Sequence, residues 1–134
     1  MKPALLPDLR LRRLWCAMGF GIALVITYSC LAPPDALPEP RLWDKSIHLL
    51  AFGALGFWFG SIVVRRDLPW LALTLVAFGG LIELAQGAMQ LGRHAELLDL
   101  AADSLGALLG LALALTPLGR WPRWMEGFVY RTTS

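Results

Sequence analysis

Glu83, Asp99, Asp103 and His48 are ionisable side chains set inside long apolar runs of this chain. Glu83, Gln86 and Gln90 are spaced three, four and seven apart, so a single helix face carries all three. Asp99 and Asp103 stand four apart and share another face; Asp44 and His48 have the same spacing. A histidine with an ordinary pKa of about 6.5 suits proton exchange with a carboxylate such as Glu83. Asp99 and Asp103 suit orienting those groups or holding a divalent ion, because hard cations favour carboxylate oxygens. Arg93 and Lys45 suit a phosphate or carboxylate ligand, with Asp44 and Gln86 beside them. No close metal-ligand motif is present, so the reading commits to no metal and no cofactor, and a divalent ion is its minor variant.

Such groups need a scaffold that holds them in hydrocarbon. The chain has 134 residues, 57% of them apolar and only 16% charged, with mean hydropathy +0.58. A soluble chain usually carries about 25% charge, so a water-soluble globule is excluded, and the apolar excess excludes disorder. The net charge of +2, with basic residues at segment ends, gives no case for nucleic acid. A span needs roughly 20 apolar residues as a helix. Four runs qualify: 14–34, 46–64, 68–92 and 97–119. The expected fold is all-α, a four-helix transmembrane bundle forming one domain over 1–134. Cys16 and Cys30 lie about 21 Å apart on a single helix, too far to bridge, and read as buried thiols.

Placing the N-terminus in the cytoplasm puts Lys2, Arg10, Arg12, Arg13, Arg65, Arg66, Arg120, Arg123 and Arg131 inside and leaves Arg41, Lys45 and Arg93 outside. This asymmetry favours cytoplasmic N- and C-termini. Trp15, Trp70, Trp121 and Trp124 then fall at inner boundaries and Trp43 at an outer one, with Trp58 mid-span. The first span resembles a signal peptide only weakly, because its apolar run is long and its cleavage sites are poor; it is expected to remain as a span. Arg65 to Asp67 reads as a very short turn joining antiparallel neighbours, and the tail from Arg120 is expected along the inner headgroups. Gly56 and Gly60, and Ala102, Gly106, Gly110 and Ala114, recur every four residues and read as close-packing surfaces between helices. Gly79 and Gly80 give the third span a similar notch.

With this topology the polar residues segregate. Asp35, Glu39, Asp44, Glu83, Glu96, Asp99, Asp103, His48 and His94 lie at or towards the outside. Counting along each helix puts His48 about 5 Å, Asp103 roughly 9 Å and Glu83 at most about 15 Å from the outer surface, which are similar levels. A carboxylate in hydrocarbon costs several kcal/mol unless paired, protonated or hydrated, so Glu83 is expected to face the bundle interior. The plainer reading is inter-helix hydrogen bonding, worth about 0.6–2 kcal/mol per contact. That suffices for Gln86 and Gln90 but is a poor account of so many ionisable groups on one side. His94 and Glu96 read as solvated loop residues.

Asp44-Lys45-x-x-His48, Glu83-x-x-Gln86, Arg93, Asp99 and Gly106-x-x-x-Gly110, in this order, resemble the VanZ-like family of small bacterial membrane proteins, named for a teicoplanin-resistance protein. The resemblance covers about 42–110. The family usually has Asn where this chain has Asp103, a departure that either changes the charge balance or requires one carboxylate to be protonated. The resemblance implies an envelope role at the outer leaflet of the bacterial inner membrane, linked in one case to glycopeptide resistance, and supplies no reaction. Three readings remain. The first is an outer-leaflet site that binds or processes a lipid-linked or headgroup substrate, with Glu83, His48, Asp99 and Asp103 as reacting groups and Arg93, Lys45, Asp44 and Gln86 holding the substrate. The second is a non-enzymatic scaffold or accessory subunit. The third is a proton-coupled flippase, which the lack of ionisable residues in the inner halves of the spans disfavours. Whether the protein is an enzyme stays open.

Overall fold

The computed structural model describes residues 4–32, 44–89 and 96–131. Its helices are α1 (Arg12–Leu31), α2 (Asp44–Ile62), α3 (Leu68–Met89), α4 (Leu97–Ala114) and α5 (Trp121–Arg131). Short 3-10 turns at Arg65–Asp67 and Pro117–Arg120 join α2 to α3 and α4 to α5. No strand occurs among the described residues beyond an isolated bridge between Leu5 and Val63. Helices α1 to α4 are each long and apolar enough to cross a membrane, so the chain is a multi-pass membrane protein. Side chains such as Leu24, Tyr28, Leu50, Leu84 and Leu97 are exposed on these helices, as a lipid-facing surface requires.

The helix limits have local causes. α1 stops where Pro33 and Pro34 follow, since the residue before a proline avoids the α region. Pro69 sits in the first turn of α3, where its missing N–H costs nothing. α4 ends at Ala114, five residues short of the expected 119. The difference is Pro117, which cannot continue the helix; Thr116 turns extended there and its hydroxyl accepts from Leu118 N at 3.3 Å. Within the spans, Thr27, Ser61, Thr74 and Ser104 each donate to the carbonyl four residues back. Each hydroxyl thus finds its partner on its own helix, as hydrocarbon demands.

The closest interface is between α2 and α4. A Cβ on Gly106 would strike the Leu49 carbonyl, one on Gly110 the Gly53 carbonyl, and one on Gly56 the Ala107 carbonyl. These glycines therefore bring backbone against backbone, the expected small-residue packing. A Cβ on Gly60 would come within 2.8 Å of Ala114 Cβ. Phe52, Leu55, Ile62 and Ala107 fill the centre without exposure.

The end of the bundle opposite His48 is closed by the N-terminal segment. Leu6 N donates to Ile62 O at 2.8 Å and Val64 N to Ala4 O at 2.9 Å, while Ala4 N donates to Asp67 Oδ2 at 2.7 Å. Glu126 reaches back from α5 and accepts from Arg10 N, Leu11 N and Trp15 Nε1 at 2.8, 2.9 and 2.8 Å. Trp58 does not stand apart from the boundary tryptophans: it lies near the end of α2, with ring centroids 6.1 Å from Trp15 and 4.8 Å from Trp121.

Candidate functional site

Three spans each deliver one ionisable side chain to the same place. His48 comes from the first turns of α2, Glu83 from the last third of α3 and Asp103 from the second turn of α4. His48 Nδ1 and Asp103 Oδ1 are 2.9 Å apart. One potential ligand atom from each of His48, Glu83 and Asp103 lies within 4.8 Å of the others. All three are buried, with residue exposures of 3%, 5% and 0%. Burial at this level makes the partners decisive, because an unpaired polar group in such surroundings costs at least about 1–3 kcal/mol.

The backbone makes room for this meeting. Gly79 stands opposite Asp103 on α3, and a Cβ there would come within 2.9 Å of Asp103 Oδ2. Glycine is needed at Gly79 for close approach. One turn further along α3, Glu83 accepts from the Glu96 backbone N–H at 2.8 Å through Oε2. That N–H belongs to the residue capping α4, where free amides and the helix dipole favour an anion. Glu83 is thus fixed by the start of α4 while Asp103 projects from its second turn.

The rim is a separate ionic layer. Lys45 Nζ lies 2.7 Å from Glu96 Oε2 and 3.4 Å from Asp99 Oδ1. Lys45 and Glu96 side chains are about half exposed, whereas that of Asp99 is buried. The carboxylates therefore form two tiers: Asp99 and Glu96 with a lysine at the mouth, and Asp103 and Glu83 with an imidazole below. Two oxygens of the inner tier, Glu83 Oε1 and Asp103 Oδ2, are buried with no hydrogen-bond partner among the described residues.

The expected residues thus divide. His48, Glu83 and Asp103 meet, whereas Asp99 pairs with Lys45 at the rim. Lys45 does not reach Glu83, since Glu96 and Asp99 hold it at the rim. Gln86 is buried on the same side of α3, and its Nε2 donates to the Cys30 carbonyl at 2.9 Å, tying α3 to the end of α1. Arg93 and the Asp44 side chain lie outside the described residues, as do Gln90 and His94. Glu96 was expected in a solvated loop, yet its amide holds Glu83 and its carboxylate holds Lys45. Its place immediately before an apolar helix opening with Asp99 was the available signal. Comparison with family models, curated proteins and solved structures gave no match.

A second buried set lies at the opposite end. Burial alone would raise the Glu126 carboxyl, but the N–H groups of Arg10 and Leu11 and the Trp15 indole hold it below the usual carboxylate range. Its hydrogen-bond donors are backbone and indole groups that lock the N-terminal segment in place, so its role is structural.

Proposed function

We propose that this chain is a bacterial envelope membrane protein whose outer-leaflet polar site binds or processes a lipid-linked or headgroup substrate. The observation that carries this reading is the convergence of His48, Glu83 and Asp103 from three spans on one buried point. Packing alone does not call for it. Hydrogen-bonded contacts between spans contribute only about 0.6–2 kcal/mol, whereas each buried carboxylate costs several. A cost of that size without a matching gain in packing points to use. Lys45, half exposed above Asp99, offers a cation to an arriving phosphate or carboxylate. Arg93 is the second cation in this reading, and the lower tier meets the polar part of the ligand. Asp103 fixes the orientation of the His48 ring through Nδ1.

The VanZ-like resemblance supports the same reading, since its Asp-Lys-x-x-His, Glu-x-x-Gln and paired-glycine residues fall on α2, α3 and α4. The Lys and Arg asymmetry orients the proposal: the site faces outward, and the arginine-rich end with both termini faces the cytoplasm. Native mass measurement of the detergent-purified protein tests it. Wild type is expected to carry a bound lipid, and Glu83→Gln and Arg93→Ala to lose it while remaining folded. Equal lipid retention in all three proteins contradicts the proposal.

A scaffold role is the second reading, favoured by the Gln86–Cys30 bond, which joins two spans. On that reading the same variants lower abundance or release a partner protein, and no lipid is lost selectively.

A further inference from the structure

We infer that His48, Glu83 and Asp103 form a binding site for a divalent transition-metal cation, with zinc the best match to the donor set. This goes beyond the headgroup reading and does not need a lipid: three side chains of this chain supply the ligands.

Charge is the first argument. Two carboxylates and one imidazole share a space in which their ligand atoms lie within 4.8 Å, and the three residues are nearly inaccessible to solvent. With both carboxyl groups ionised and the ring neutral, the set would place a charge of −2 in hydrocarbon. Among the described residues, no lysine or arginine forms an ion pair with Glu83 or Asp103, and Lys45 is held by Glu96 and Asp99. One divalent cation neutralises the pair completely.

The unmatched oxygens are the second argument. Glu83 Oε1 and Asp103 Oδ2 are buried without a hydrogen-bond partner among the described residues. Glu96 N fixes Glu83 Oε2, and His48 Nδ1 and Asp103 Oδ1, 2.9 Å apart, are close enough to serve as two ligands of one ion when the ring nitrogen carries no proton. A metal ligand held by a second hydrogen bond, as Glu83 is by Glu96 N, is oriented and made more basic. Tetrahedral ligands at about 2.0–2.2 Å from zinc stand roughly 3.4 Å apart, so the observed spread closes by small side-chain rotations.

Donor type selects the ion. Magnesium and calcium take oxygen ligands almost exclusively, whereas imidazole suits zinc and its first-row neighbours. One nitrogen and two carboxylate oxygens leave a fourth tetrahedral position for water or a ligand group. The three donors also come from separate helices, α2, α3 and α4, so the ion would tie the spans together at this end.

The test uses the full chain in detergent, stripped with chelator and then given zinc alone. Zinc bound after desalting is measured by elemental mass spectrometry. Wild type is expected to retain one equivalent. Glu83→Gln, Asp103→Asn and His48→Gln are each expected to weaken binding at least about tenfold, while Lys45→Ala keeps it. Wild type that elutes as a folded species without zinc overturns the site, as do the three variants binding as well as wild type. Should the variants fail to fold, X-ray absorption of zinc-loaded wild type decides: one imidazole with oxygen neighbours supports the site, and sulfur neighbours overturn it. Bound lipid without zinc would sink this inference and leave the headgroup reading standing; zinc without lipid would do the reverse.

Discussion

At the residue scale, two carboxylates at opposite ends of the bundle show how partners decide a buried acid's role. Glu126 has its hydrogen-bond capacity met by two backbone amides and an indole. Glu83 has one oxygen met by Glu96 N and one unmet. The first arrangement is a completed clamp, and the second leaves valence for a ligand. The clamp has a pH signature. Asp8, hydrogen-bonded to Arg123, is likewise held below its ordinary value. A depressed carboxyl contributes stability that is present above its unfolded pKa and is lost as pH falls through the folded one. Thermal stability in detergent is therefore expected to drop on acidification below the ordinary carboxylate range. Glu126→Gln should lower stability at neutral pH and flatten that acid limb; an unchanged limb would show that Glu126 is not the responsible group. None of this was legible in the sequence. Glu126 is one acid among exposed tail residues, and its partners, Arg10 and Leu11, lie more than a hundred positions away.

At the element scale, the spans were legible because hydrocarbon thickness sets a length that few other structures share. The small-residue spacing on the second and fourth spans likewise marked close-packing surfaces, though not which helix each would meet. Helix ends were less legible: apolar composition continues past Ala114, and only the backbone geometry around Pro117 shows where α4 stops. Gly110→Val should drive a side chain into the Gly53 backbone and cost at least about 1–3 kcal/mol, the range for overpacking. Gly21→Ala meets nothing within 4 Å and should stabilise α1 by about 0.5–1 kcal/mol through helix propensity. Melting the two variants side by side in detergent checks the contrast. Equal effects would mean that the glycines of α2 and α4 do not set that packing.

At the scale of the whole molecule, ionisable groups gather at both ends, and the ends differ in kind. One end joins Lys45, Glu96 and Asp99 above His48, Glu83 and Asp103; the other is framed by Arg10, Arg65, Arg120 and Arg123. On the proposed orientation, a thiol introduced by Lys45→Cys in a cysteine-free background should react with an impermeant reagent outside intact cells, and one introduced by Arg120→Cys should not. The reversed pattern would turn the site to the cytoplasm and remove the outer-leaflet reading. Facing and depth along single helices were enough to anticipate that His48, Glu83 and Asp103 share a level. The choice of partner was not, because whether Lys45 meets Glu83 or Asp99 depends on how the helices are rotated against each other.

The most direct test of the meeting of spans is a double-mutant cycle on His48→Ala and Asp103→Ala, read as stability in detergent. Their atoms are 2.9 Å apart and buried, so the two losses should fail to add, with a coupling of at least about 1 kcal/mol. Losses that add to within about 0.5 kcal/mol would mean that the two side chains do not touch, and the shared site would not exist.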